Sequence, residues 1–255
     1  MTPMSDIPHA PTESDRADEP LRPGLYLIGT PIGNLEDVTA RALKILGRVS
    51  VIFAEDTRIT RRLLDRYAIR TPMISCHQHN EARRIEPILG RVRRGEAVAL
   101  VTDAGMPGVS DPGSRVAAAL RAEGLPVTVI PGPCAVSAAL ALSGLGGGAY
   151  SFAAFLPHKS GARIKRLEFL LARPETVVLF ESPYRIAKLA GELAGIDPAR
   201  PVCMARELTK KFEEIRTLPA AEWVGYWANH APRGEFVVIV GPAGEERESV
   251  PPDGC

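Results

Sequence analysis

Short apolar runs alternate with helically spaced apolar positions along most of this chain. Residues 25–28, 49–54, 97–101 and 127–130 are almost continuously apolar, the pattern of parallel strands covered on both faces. Helical spacing follows them. Val38, Ala42, Ile45 and Leu46 share one face, as do Val116, Ala119 and Leu120, and then Ala135, Ala138, Ala139 and Leu142. Pro87 falls inside a similar stretch over 80–94, which predicts a helix that is kinked or starts late.

Leu145-Gly146-Gly147-Gly148 breaks the pattern, because successive glycines favour neither helix nor strand. A second alternation follows, with strand-like segments at 152–156, 177–180, 202–205, 214–218 and 236–240. Helical stretches lie at 162–171, 184–193 and 220–229. The chain therefore reads as two α/β domains, 22–145 and 146–243, the second with a mixed sheet. Residues 1–21 and 244–255 are rich in Pro, Glu, Asp and Ser and poor in large apolar residues, so disordered tails are expected there.

A 255-residue chain that is 45% hydrophobic can bury a sizeable core. No apolar run approaches the roughly 18 residues that span a bilayer, and the acidic, Pro-rich start lacks a basic and apolar leader, so a soluble cytoplasmic protein is expected. Cys76, Cys134, Cys203 and Cys255 are scattered without a CxxC pair, which predicts reduced thiols and no metal site. The formal charge of +1 conceals a division. The tails carry −4 and −3, leaving 29 basic against 21 acidic residues, or +8, on 21–243. A core that basic favours a polyanionic partner, although solvated surface charge gives the same count.

Open α/β sheets bind ligands beyond the carboxyl ends of their strands. The unusual residues of this chain gather there: Gly29-Thr30-Pro31-Ile32-Gly33-Asn34, Glu55-Asp56-Thr57-Arg58, the run from Asp103 to Gly113, and Pro131-Gly132-Pro133-Cys134. The first loop reads GxxxG with a proline, not the GxGxxG of a dinucleotide turn, which argues against a nicotinamide enzyme. Asp111-Pro112 suits a helix N-cap followed by proline at the first helical position. Asp103 has no such structural use and sits among small residues that admit a ligand to the backbone. His77-Gln78-His79-Asn80-Glu81 lacks a third metal ligand, and it reads as a polar substrate loop or as an Asn80 helix cap. Arg206-Glu207-Leu208-Thr209-Lys210-Lys211 reads as an anion contact or a solvated turn.

In this order, GTPIGNLEDVT, AEDTR, HQHNE, DAGMPGVSDPG, PGPCA, FLPHKS, FES, ARELTKKFEE and GEFVVIVG resemble the tetrapyrrole-methylase-fold family of S-adenosylmethionine enzymes. The resemblance is to the branch that methylates small-subunit ribosomal RNA. It implies S-adenosylmethionine in a cleft between two α/β domains, a homodimer, and methylation of a cytidine ribose 2′-hydroxyl in the decoding region of 16S rRNA, free or in the small ribosomal subunit. It implies cofactor contacts at Pro31, Asp103, Ala104, Gly105, Cys134, Ala135, Phe180, Glu181, Ala205, Gly234 and Glu235. Family members acting on tetrapyrroles have a first loop resembling GxGPG and a hydroxyl after the PG pair, where this chain has GTPIG and Cys134-Ala135.

A ribose hydroxyl is a poor nucleophile, so a positioned base is expected, with Asp103, Glu181 and Glu207 as carboxylate candidates and His79 beside them. Arg58, His79, Lys159, Arg206 and Lys210 are the substrate-binding candidates, with Arg61, Arg62, Arg163 and Lys165 as further phosphate contacts. The competing readings are a small-molecule (tetrapyrrole) methyltransferase of the same fold and a non-catalytic RNA-binding module.

Overall fold

The computed structural model describes residues 20–146 and 148–242. Apart from Pro20 and Leu21, the expected tails lie outside these residues, as does Cys255. The first alternation forms β1 (Gly24–Ile28), β2 (Val51–Ala54), β3 (Met73–Ser75), β4 (Ala97–Val101) and β5 (Val127–Ile130). They make one sheet of order β3-β2-β4-β1-β5 in which every neighbouring pair is parallel. All five carboxyl ends therefore open on the same edge.

Helices α1 (Ala40–Leu46), α2 (Thr57–Arg66), α3 (Glu81–Arg93) and α4 (Ser114–Ala122) cover this sheet. Thr39 caps α1 by accepting the Ala42 N–H at 3.1 Å, and Asp56 caps α2 by accepting the Arg58 N–H at 2.8 Å. Alternating strand residues feed two cores. Ile28 and Ile52 pack with Leu46 and Leu64 on one face; Leu25 and Phe53 pack with Ile88 and Leu120 on the other. Each such burial contributes about 1.5–3 kcal/mol, so a register slip that exchanged the faces is strongly disfavoured.

Three local expectations change. The strand β3 has no counterpart in the apolar pattern, because three half-buried residues at a sheet edge leave no periodic signal. β5 is the other edge, and its Val129 is 52% exposed, so this strand is not covered on both faces. α3 starts at Glu81 and runs on through Pro87, giving up one backbone hydrogen bond there.

The second sheet contains β6 (Tyr150–Phe155), β7 (Thr176–Glu181), β8 (Pro201–Arg206), β9 (Glu214–Pro219) and β10 (Phe236–Val240) in the order β6-β7-β10-β8-β9. Only the β6/β7 pair is parallel, so the sheet is mixed as expected. Helices α6 (Ser160–Leu171), α7 (Ile186–Ile196) and α8 (Ala220–Asn229) close one face around Leu167, Leu189 and Trp223. The other face is closed by α5 (Ala135–Ser143), whose Val136 and Ala139 pack on Val178, Cys203, Ala205, Val237 and Ile239. α5 precedes the glycine run in sequence and yet belongs by packing to the second sheet. The chain crosses between the two sheets at 131–134, and a cleft is left where it does so.

Candidate active site

Three loops from the first sheet's carboxyl edge are bonded into one wall. Thr30 and Gly105 exchange N–H···O bonds of 2.9 and 3.0 Å, and the Thr30 hydroxyl donates to the Thr102 carbonyl at 3.0 Å. Gly132 lies against Gly29 so closely that a Cβ on either would stand within 3 Å of the other's backbone. The same first loop reaches the second domain. The Asn34 N–H donates to Thr209 Oγ1 at 3.0 Å, and a Cβ on Gly33 would meet that oxygen at 2.5 Å. These glycines thus allow the close approaches that form the cleft.

The cleft holds a cavity of about 470 Å³, within the range for small-molecule sites. Of the residues expected to bind cofactor, Asp103, Ala104, Gly105, Cys134, Ala135, Phe180, Glu181, Ala205 and Glu235 line it. Pro31 is buried and outside the lining, and its neighbour Ile32 lines the cavity instead. Gly234 also stays out of the lining. At φ +82 it leaves room for the Glu207 side chain, whose Cγ would be 2.5 Å from a Cβ there.

Glu55 and Asp111, not chosen from the sequence, join Asp103 on the lining. The Asp103 N–H donates to Glu55 Oε2 at 3.2 Å, and Asp103 Oδ1 accepts the Asp56 N–H at 2.9 Å. Burial, opposed in part by the Asp103 N–H, raises the Glu55 carboxyl, and burial likewise raises Asp103. Asp111 is pushed up to about 6, by burial first and then by the charges of Glu55 and Asp103. The expectation that Asp111 caps a helix is corrected. Gly113 is the N-cap of α4, and Asp111 is carried to the cavity by a loop with Ser110 at φ +65. Glu81, only 4% exposed, anchors this loop by accepting the Gly113 N–H at 2.8 Å. Glu55 was legible as a polar residue at a strand end of the same sheet edge; Asp111 was hidden by a sequence that also suits a cap.

The other two carboxylate candidates are differently placed. Glu181 is buried; its Oε1 accepts the Ser182 N–H at 2.7 Å and its Oε2 lies 3.2 Å from Arg185 Nη2, off the direction of a hydrogen bond. Glu207 Oε1 accepts both the Glu235 N–H at 2.9 Å and Lys210 Nζ at 3.0 Å. Burial works to raise its pKa, but these donors outweigh it and hold the carboxyl below its usual range.

Four of the expected phosphate contacts, Arg58, Arg163, Arg206 and Lys210, are engaged within the chain. Lys210 lines the cavity between Glu207 and Glu235, the latter at 2.5 Å. Arg206 lies 3.7 Å from Glu214, and exposed Arg58 lies 2.5 Å from Asp56. Arg163 is 2% exposed and paired with Glu192 at 2.6 Å, so as a phosphate contact it is overturned. His79 is exposed and outside the lining, while Asn80 accepts the His77 N–H instead of capping α3 with its side chain. Lys159 is exposed beyond β6.

The donor set suits S-adenosylmethionine. Ala104, Gly105, Ala135 and Ala205 admit a ligand to the backbone, Ile32, Phe180 and Val237 offer an apolar wall, and the carboxyls of Glu55, Asp103, Asp111, Glu181, Glu207 and Glu235 outnumber the single Lys210 ammonium on the lining. Glu181 Oε2 is a buried acceptor without a hydrogen bond from the protein, available to a ligand donor.

Residues 24–223 match the family model described as Tetrapyrrole (Corrin/Porphyrin) Methylases. A protein of Mesorhizobium japonicum named Ribosomal RNA small subunit methyltransferase I is 45% identical over 236 residues, 92% of this chain and 80% of that one. One of the same name from Thermotoga maritima is 40% identical over 85% of this chain and 97% of its own. Among solved structures, the methyltransferase CobJ superposes with a TM-score of 0.66 at 21% identity over 86% of this chain and 94% of that one. A uroporphyrin-III C-methyltransferase from Thermus thermophilus, complexed with S-adenosyl homocysteine, does so with 0.61 at 20% over 85% and 96%. These two likenesses extend to the fold.

Proposed function

This chain belongs to the tetrapyrrole methylase family, among its ribosomal RNA small subunit methyltransferases I, and on that premise we propose that it methylates 16S rRNA of the small ribosomal subunit. The acceptor in this reading is the 2′-hydroxyl of a cytidine ribose in the decoding region. The observation that carries it is the carboxyl-lined cavity, set in a chain 45% identical over 92% of its length to a protein of that name. The reading includes a homodimer and a cytoplasmic location. No helix among the described residues is long and apolar enough to cross a membrane.

When bound, S-adenosylmethionine supplies a methyl group already activated on a sulfonium. What the protein must add is position, charge and a proton acceptor. Glu55, Asp103 and Asp111 set a negative field against the donor's positive charge, in a cleft where burial strengthens it. Asp111, raised to about 6, is the carboxyl best matched to take the hydroxyl proton near neutral pH, with Asp103 beside it. Glu207 is a positioning residue in this scheme, because its accepting oxygen already receives two donors. Glu181 holds a ligand donor at the second domain's edge. An unpaired nucleotide is required, since a paired ribose does not reach a donor sunk between two domains.

The test is transfer of labelled methyl from S-adenosylmethionine to small subunits lacking the modification, to free 16S rRNA, and to porphyrinogens. Alkaline hydrolysis then locates the label, because a methylated 2′-oxygen cannot attack its phosphodiester. Label in an alkali-stable dinucleotide is expected. Label in mononucleotides overturns the ribose assignment, and label on porphyrinogen alone overturns the RNA assignment.

A further inference from the structure

Phe152 and Phe155 stand three positions apart, so in an unbroken strand their rings point to opposite faces of the sheet. β6 is broken. Its register with β7 shifts between Phe152 and Ala154, and Ala154 sits in the left-handed region at φ +50. The shift restores parity, and both rings meet Phe180 edge-on, with centroids 4.9 and 5.7 Å away. Bulges of this kind re-aim side chains, often beside active sites.

The two rings have different surroundings. Phe152 is partly buried against the core under α5, whereas Phe155 lines the cavity and remains 59% exposed. A left-handed alanine is an unfavourable backbone, and here it delivers an aromatic ring to solvent at the cavity rim. Packing within the protein gains little from that placement. Tyr184 directly follows the lining residues Ser182 and Pro183 and is 96% exposed. Lys159, four residues beyond Phe155, adds an exposed positive charge on the same connection.

We propose that Phe155, assisted by Tyr184, is the stacking face that receives the unpaired target base of the RNA, with Lys159 toward its phosphate. This rests on the RNA reading above and adds the residues that hold the base. A nucleotide drawn out of its strand loses the stacking of its neighbours, and an aromatic ring replaces it. Phe155 suits the incoming substrate rather than the methyl donor, because the inner wall of the cavity is already formed by Ile32, Phe180 and Val237.

Steady-state transfer to small subunits lacking the modification, together with calorimetric binding of S-adenosylmethionine, tests this on the full chain. Phe155→Ala is expected to raise KM for the subunit roughly tenfold, the usual scale for one stacked base, and to leave the S-adenosylmethionine Kd within about twofold. Phe155→Trp should stay near wild type, Phe155→Leu should behave as the alanine variant, and Tyr184→Ala should show a smaller rise. Leucine performing as well as phenylalanine overturns the proposal, since apolar bulk then suffices. So does a raised Kd for S-adenosylmethionine with an unchanged subunit KM, which assigns the ring to the donor. If wild-type protein labels no RNA, the underlying reading fails first and this one with it; if wild type labels RNA and the variants match it, only this one fails.

Discussion

Replacing Asp111 with asparagine removes one charge from the cavity wall while keeping the side chain's size. Burial, then the charges of Glu55 and Asp103, lifts this carboxyl from the ordinary 3.8 to about 6. At roughly 1.4 kcal/mol per pH unit, the difference is worth about 3 kcal/mol between the two protonation states. Asp111 keeps partial contact with solvent, and screening reduces the effect to on the order of 1–2 kcal/mol. Because the folded value lies above the unfolded one, folding favours the protonated form. The associated stability is complete below 3.8 and is lost as pH rises through about 6. Asp111→Asn has no such loss. In urea unfolding, variant and wild type should nearly coincide at about pH 4 and separate by that 1–2 kcal/mol at about pH 8, with the variant the more stable. Taking the difference at each pH cancels the carboxyls that do not interact with Asp111, and leaves its coupling to Glu55 and Asp103 inside the measured gap. A gap that does not change with pH refutes the reasoning, as does a variant less stable than wild type at pH 8. Methyl transfer should move the opposite way and fall, since stability gained by neutralising a working carboxyl is stability the site had given up.

Gly132→Ala puts a Cβ 2.9 Å from the Cα, carbonyl carbon and carbonyl oxygen of Gly29. The two loops must part, at a cost of about 1–3 kcal/mol, and both the melting temperature and S-adenosylmethionine affinity should drop; an unchanged melting temperature contradicts the close approach. Glu81→Ala leaves the Gly113 N–H without its buried acceptor and should lower stability by about 1–3 kcal/mol. Glu81→Gln retains an acceptor oxygen and should stay near wild type in the same urea titration; equal losses in the two variants would show that the hydrogen bond is not what matters.

What the sequence by itself determined is whatever local periodicity encodes. The apolar strands β1, β2 and β4 were legible because each strand residue faces one of two covered layers, and α1 was legible from its helical spacing. The second domain's five strands and three helices were legible from the same alternation, although its edge strands β6 and β9 are not covered on both faces, and so was the gathering of unusual loops at one sheet edge, which follows once the strands are parallel. Tertiary structure alone decided which sheet α5 covers, because Val136 and Ala139 read equally well against either apolar face. It alone separated the acidic candidates. Glu207 and Asp111 both line the cavity, but Glu207 is bonded to Lys210 and the Glu235 N–H, whereas Asp111 is raised by burial and by the charge of Glu55 from another strand end. Those roles depend on distance and burial between segments far apart in the chain. Such contacts leave no mark on the spacing of the residues that make them, so they emerge only when the two sheets close on one another.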